Sequence, residues 1–304
     1  MDLTIFTGTA NRPLGESLAR ALGRPLGKCQ LERFPDGELH VELQEDVRGC
    51  NVCLVQPTSP PVGENLLELL LMADACWRGG ATRLTAVVPY FGYARHDRRS
   101  RPGEALGGRL VADLLERGHF DRIVAVNLHT ASLEGCFAMP LEHLDAAPML
   151  ADAVRPLAGP GAVVVSPDLG AVKLAERYAR TLGLPLAIVH KRRDSGANVS
   201  VQGLVGEVKG LRPIIIDDLI STAGTIAATA ETVRKEGCAD EITVVATHAL
   251  LVGPALERLS KVPIRRLIST DSVVHRTELP FQHQVVGLAP LLADAIHRIT
   301  AQGR

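Results

Sequence analysis

The residues best suited to chemistry lie in one run: Ile214-Ile215-Ile216-Asp217-Asp218-Leu219-Ile220-Ser221-Thr222-Ala223-Gly224-Thr225. Three isoleucines predict a buried strand that ends in two adjacent acids. Ser221, Thr222, Ala223, Gly224 and Thr225 then predict a small, hydroxyl-rich turn leading into a helix. Such a turn offers backbone N–H groups, three hydroxyls and the positive end of a helix dipole to a phosphate. Two carboxylates beside it would repel a polyphosphate, but they suit sugar hydroxyls or a metal ion next to one phosphate group. The combination points to a phosphorylated sugar. The plainer reading is a helix capped by Ser221 or Thr222 with the acids solvated; it leaves consecutive carboxylates behind three isoleucines unexplained.

Cations gather elsewhere. Tyr93-Ala94-Arg95-His96-Asp97-Arg98-Arg99-Ser100-Arg101-Pro102-Gly103-Glu104 follows an apolar run and places four arginines within seven residues. Arginine forks suit phosphate oxygens, although a solvated basic loop would have the same composition. Lys191-Arg192-Arg193 follows another apolar run and could neutralise charge on a transferring phosphoryl group; a basic surface loop reads alike. Phe34-Pro35-Asp36-Gly37-Glu38 sets a ring and two acids on a short turn, able to hold a base and its amino group or to be a surface turn. His129 and Asp168 each follow a predicted strand. Mg²⁺ takes one or two carboxylates alongside substrate phosphates, which fits Asp168 better than it fits a histidine.

These groups need a scaffold that collects strand ends. The apolar pattern predicts strands at Asn51–Gln56, Arg83–Pro89, Arg122–Asn127, Ala162–Ser166, Pro185–His190, Pro213–Asp217 and Glu241–Thr247. Helices are predicted at Asn65–Arg78, Gly108–Arg117, Ala171–Leu182 and Thr225–Glu236, with Gly79, Gly118, Gly183 and Gly237 as left-handed terminators. Strands that are apolar throughout, alternating with helices, imply mostly parallel sheets covered on both faces. Ligands of such sheets bind beyond the carboxyl ends of the strands. A seam is expected near 146–161, where Pro148, Pro156 and Pro160 cluster with glycines. It divides the chain into 1–146 and 147–286, followed by an amphipathic packing helix at 287–304 carrying Leu288, Leu291, Leu292, Ile296 and Ile299.

Composition narrows the function. Thirty-three Lys and Arg stand against 34 Asp and Glu, and rings make up 3% of 304 residues. A nucleic-acid binder needs excess cation and stacking platforms, so none is expected. The longest apolar stretch, near Leu66–Ala73, contains Glu68 and is too short to cross a bilayer. The first residues lack a basic region followed by a long apolar run, so a cytoplasmic enzyme is expected. Six scattered cysteines fit a reducing compartment. Cys50-Asn-Val-Cys53 has no second pair, and its two thiols would face opposite sides of a strand. Gly23-Arg-Pro-Leu-Gly27-Lys28-Cys29 is one spacer short of a P-loop and lacks its Ser/Thr, so any nucleotide site is built differently.

The 217–225 run resembles the PRPP-binding motif of the phosphoribosyltransferase-like fold. Together FPDGE at 34–38, PYFGYAR-x-DR at 89–98, NLH at 127–129, SPD at 166–168, KRR at 191–193 and DDLISTAGT at 217–225 resemble the ribose-phosphate pyrophosphokinases. The loop motifs are most similar to the archaeal-type (class III) members, which are weakly regulated. The resemblance implies an α/β fold of two phosphoribosyltransferase-like domains, each a mostly parallel sheet flanked by helices. It implies ATP and ribose 5-phosphate as substrates, PRPP and AMP as products, Mg²⁺ as cofactor, and a homo-oligomer whose ATP site neighbouring subunits share. By position, Phe34, Asp36, Gly37, Glu38, Arg95, His96, Asp97 and Arg98 would bind ATP, and His129 and Asp168 would lie at the metal. Lys191 and Arg193 would stabilise the transition state, with Arg193 also at ribose 5-phosphate. Asp217 and Asp218 would hold the ribose hydroxyls, and Ser221, Thr222, Ala223, Gly224 and Thr225 the 5-phosphate. Three residues depart from the family pattern: His96 replaces a glutamine, Asn127 an aspartate, and Ser221 the aspartate of the common bacterial loop. A non-catalytic regulatory relative of the family is the alternative; it would be expected to have lost the ATP or cation motifs.

Overall fold

A computed structural model describes residues 2–193, 199–275 and 278–301, including all side chains there except those of 191–193 and 199–202. The chain forms two compact units. One comprises Met1–Asp145, Ser272–Val274 and Gly287–Arg304; the other comprises Ala146–Asp271 and His275–Val286.

The first unit runs β1 (Leu3–Thr7), α1 (Arg12–Ala21), β2 (Cys29–Arg33), β3 (Leu39–Leu43), β4 (Asn51–Val55), α2 (Val62–Arg78), β5 (Arg83–Val88), α3 (Gly107–Arg117), β6 (Arg122–Val126) and β7 (Leu141–Leu144). Five strands form a parallel sheet in the order β1-β4-β5-β6-β7, while β2 and β3 make a separate antiparallel hairpin. Alternation sends Val52, Leu54, Leu84 and Ala86 to one face, where they pack with Leu69, Met72 and Cys76 of α2 and Leu115 of α3. Both sheet faces are covered, which is why β4, β5 and β6 read as continuous apolar runs.

The second unit runs α4 (Ala147–Val154), β8 (Ala162–Ser166), α5 (Val172–Leu182), β9 (Leu186–Arg193), β10 (Val199–Val205), β11 (Arg212–Ile220), α6 (Gly224–Lys235), β12 (Ile242–Ala249), α7 (Ala255–Ser260), β13 (Ile264–Thr270) and β14 (Gln282–Val286). Its sheet order is β10-β9-β8-β11-β12-β13-β14, parallel except for β10 on the edge. The chain winds outward from β8 through β9 to β10, then returns to the other side of β8 and winds the opposite way from β11. That reversal makes the crevice between the carboxyl ends of β8 and β11 a topological switch point. The last helix, α8 (Ala289–Ala301), belongs to the first unit and packs on α1.

The two units divide at Asp145/Ala146, where the expected seam begins; the Pro/Gly-rich stretch there folds as α4 and a 3₁₀ turn, with Pro148 in the first helical turn, where its missing N–H costs nothing. Two expectations need correction. Strand β11 does not stop at the acids but runs through them to Ile220, with Asp217 level with Ala246 and Leu219 with His248 of β12. Of the four terminator glycines, only Gly183 and Gly237 are left-handed; after α2 and α3 that conformation falls one residue later, on Gly80 (φ 84°) and His119 (φ 64°).

Candidate functional site

In the second unit the switch point collects three acids. Val165 of β8 is level with Ile215 of β11, so Asp217 stands just past the last residue of β8, beside the turn that carries Asp168. Asp168 is itself fixed: its Oδ1 accepts from the N–H groups of Gly170 (2.9 Å) and Ala171 (3.1 Å) at the start of α5, and Ser166 Oγ donates to its carbonyl at 2.8 Å. Asp217 Oδ1 accepts from the backbone N–H of Asp218 at 2.9 Å. Burial, then the negative charge of Asp218 and a side-chain hydrogen bond with it, then the charge of Asp168, hold the Asp217 carboxyl well above the usual carboxylate range. An arrangement of carboxylates that resists its own ionisation attracts hydroxyl donors or a cation.

The turn after β11 supplies the complementary charge. Ser221, Thr222 and Ala223 lead directly into α6, and Ala223 takes a left-handed conformation (φ 57°) as its N-cap. Neither Ser221 nor Thr222 caps the helix, so the capping explanation of these hydroxyls does not hold. The turn is held from behind: Val252 N–H donates to Ser221 O (3.0 Å), and Arg258 donates to Thr222 O (3.0 Å). Thr229 Oγ1 donates to Thr225 O at 2.8 Å, fastening the first turn of α6. The first N–H groups of a helix have no acceptor within it, so this end presents donors and a positive dipole to an anion.

In the first unit, residues following β5 and β6 are joined. The 93–96 turn starts on left-handed Tyr93 (φ 63°), closes by His96 N–H to Tyr93 O (2.9 Å), and packs the Tyr93 ring edge-on to His96 at 5.7 Å. Gly107 and Gly108 let it approach α3; a Cβ on Gly107 would lie 3.0 Å from the Tyr93 ring, and one on Gly108 would lie 3.2 Å from His96 O. Arg95, His96 and Arg98 are exposed. Asp97 Oδ2 accepts from Thr130 Oγ1 (2.8 Å) and Ser132 Oγ (3.3 Å), which ties the arginine loop to the segment carrying His129.

That segment rests on residues the sequence reading passed over. Leu128 N–H donates to His143 Nε2 at 2.9 Å, so the ring proton is on Nδ1, 2.6 Å from Glu134 Oε1. Asn127, left-handed at φ 38°, donates its amide to Asp145 Oδ1 at 3.0 Å. An ionised aspartate at 127 could not donate there. Nearby strand ends carry a second overlooked network. Buried Glu68 accepts from Thr9 N–H (2.6 Å), Thr9 Oγ1 (2.8 Å) and Gln56 Nε2 (2.7 Å), fixing the turn after β1. The signal was an acid interrupting the apolar run of α2.

Phe34, Asp36, Gly37 and Glu38 form the tip of the β2–β3 hairpin. Phe34 N–H donates to Glu38 O (2.8 Å), Asp36 Oδ1 accepts from Glu38 N–H (3.0 Å), and the Phe34 ring is 44% exposed. Lys191 and Arg193 lie at the end of β9, paired with Val201 and Val199 of β10; their side chains are outside the described residues. Among the described residues, no group of three or more His, Cys, Asp and Glu could hold a metal ion. Burial pushes the thiols of Cys53 and Cys76 up to about 12 and that of Cys29 to about 11, so these are core groups, not nucleophiles. No described helix is long and apolar enough to cross a membrane.

A mostly parallel sheet with an acid pair and a helix entrance at its switch point is the arrangement of a phosphoribosyltransferase-type domain, and residues 144–282 match the phosphoribosyl transferase domain model. Residues 3–118 match the model for the N-terminal domain of ribose phosphate pyrophosphokinase. The ribose-phosphate pyrophosphokinase of Rhodopirellula baltica is 45% identical over 98% of this chain and 95% of its own length. Chloroplastic ribose-phosphate pyrophosphokinase 1 of Oryza sativa subsp. japonica is 44% identical over 98% of this chain and 76% of its own. The crystal structure of phosphoribosylpyrophosphate synthetase from Mycobacterium smegmatis superposes with a TM-score of 0.92 at 38% identity, covering 99% of this chain and 100% of that one. The chain belongs to the ribose-phosphate pyrophosphokinase family and is an enzyme of that class.

Proposed function

We propose that the second unit holds ribose 5-phosphate and the first holds Mg·ATP, and that the C1 hydroxyl of the sugar attacks the β-phosphorus of ATP, giving PRPP and AMP. The observation that carries this is the acid pair set beside the 221–225 turn: Asp217 and Asp218 accept from ribose hydroxyls while the turn and the start of α6 take the 5-phosphate. Transfer between two anions is governed by alignment and charge neutralisation. Arg95, His96 and Arg98 would grip the phosphates, with Asp97 holding their loop in place. Phe34 would offer its exposed ring to adenine, and Asp36 and Glu38 would accept from its amino group. Lys191 and Arg193 would meet charge that grows only in the transition state.

Carboxylate oxygens fit Mg²⁺, which binds through one or two carboxylates and the substrate's phosphates. Asp168 is the carboxylate proposed to hold it, with His129 on the nucleotide side; bound there, the ion would offset phosphate charge. The exposed hairpin tip supports a homo-oligomer in which a second copy completes the adenine site. Six free thiols agree with a reducing compartment such as the cytoplasm.

Incubation with ATP, Mg²⁺ and ribose 5-phosphate, followed by ³¹P NMR, tests the reading. Equimolar AMP and PRPP are expected. A chain that binds both substrates and yields neither product would be the regulatory relative instead.

A further inference from the structure

Glu134 and His143 take no part in the transfer described above, yet they stand behind its nucleotide side. β6 ends at Val126, and the chain leaves the sheet through Asn127, which is left-handed (φ 38°), Leu128 and His129. β7 and the residue after it hold this turn at three points. Asn127 N–H donates to Leu144 O (2.9 Å), Asn127 Nδ2 donates to Asp145 Oδ1 (3.0 Å), and Leu128 N–H donates to His143 Nε2 (2.9 Å). Downstream, Thr130 and Ser132 donate to Asp97, so a shift of the turn reaches the arginine loop.

The third point differs from the first two because it depends on where one proton sits. A carbonyl or carboxylate oxygen is an acceptor as it stands, whereas a ring nitrogen accepts only when it carries no proton. Glu134 Oε1, 2.6 Å from His143 Nδ1, draws the proton of the neutral ring to Nδ1 and leaves Nε2 free to accept. Leu128 is buried, and a buried N–H that loses its acceptor is costly enough to move the backbone.

We propose that His143 is a positioning residue for ATP: Glu134 sets its tautomer, Nε2 holds the 127–130 turn, and through Asp97 the turn holds the arginine loop in the shape the nucleotide meets. The proposal rests on the nucleotide reading of that loop. Steady-state kinetics of the full chain, with ¹⁵N NMR of the histidine rings, test it. His143→Leu should raise KM for ATP about tenfold, the scale of one buried hydrogen bond lost, and leave KM for ribose 5-phosphate within about twofold. His143→Gln, whose amide oxygen can accept from Leu128 N–H, should recover most of that loss. Glu134→Lys changes a half-exposed residue, keeps the imidazole and offers Nδ1 a donor. Its ring ¹⁵N shifts should show the proton moved to Nε2, and its KM for ATP should rise as in His143→Leu; it keeps the test open if His143→Leu fails to fold. A parental KM for ATP in His143→Leu, equal losses with leucine and glutamine, or the parental tautomer in Glu134→Lys would overturn the proposal. Arg95→Ala is the control on the underlying reading. An unchanged KM for ATP there would sink the role of the arginine loop and the proposal with it, whereas an increase there beside a parental His143→Leu would sink the proposal alone.

Discussion

Replacing Asp217 by asparagine should make the protein more stable and less able to hold its sugar substrate. The Asp217 carboxyl is raised well above the usual range by burial and by the charges of Asp218 and Asp168. The unfolded chain ionises it near pH 4. Because the folded value lies higher, the contribution to stability is fully present below pH 4 and is lost as pH rises through the folded value. At pH 8 the folded state therefore carries a penalty that asparagine removes. Relief of a strained functional group is worth about 0.5–2 kcal/mol, and each kcal/mol moves Tm by about 2–4 °C for a domain of this size. The variant should melt a few degrees above the parent at pH 8, and the gap should close as pH is lowered toward 4. Its affinity for ribose 5-phosphate should fall about tenfold or more, since a charged hydrogen bond contributes about 1.5–3 kcal/mol. Scanning calorimetry across pH and titration with ribose 5-phosphate read both effects. A variant that is less stable at pH 8, or that binds the sugar phosphate unchanged, would refute the electrostatic account of this acid.

Glu68→Ala removes the acceptor of three donors and should cost about 1–3 kcal/mol for each donor left buried and unsatisfied, while Glu68→Gln keeps the Oε1 bonds and most of the stability; urea unfolding compares them. Ala223→Val adds two methyls at a buried left-handed position (φ 57°), costing about 1–3 kcal/mol by overpacking at a conformation that β-branched residues rarely adopt, and steady-state kinetics should show KM rising for ribose 5-phosphate but not for ATP. Phe34→Ala truncates an exposed ring, so stability should hold within about 0.5 kcal/mol while KM for ATP rises. Lys191→Ala should lower kcat far more than it raises either KM, because its charge is needed chiefly in the transition state; substantial parental turnover would remove Lys191 from the mechanism.

Strands rich in β-branched residues and buried along their whole length, such as Ala162–Ser166 and Ile242–Ala249, were legible because burial on both faces favours one composition. The hairpin of β2 and β3 was not, since its residues are half exposed and charged. Strand order was also hidden, and with it the switch point: the pairing of β8 with β11 joins segments about fifty residues apart. The acids of β11 were found by type, yet their place inside the strand was not, because continued pairing with β12 outweighs the local preference of aspartate for a strand end. Support for the His129 segment by His143, Glu134 and Asp145 depends on contacts across β7 that carry no local motif.

The central claim is that the 217–225 segment is the seat of the sugar phosphate, and amide NMR with added ribose 5-phosphate tests it most directly. The backbone resonances of Ser221 to Thr225 should move first and farthest, saturably, with Asp217 and Asp218 responding alongside. Saturable binding that leaves those amides in place and shifts residues elsewhere would contradict it.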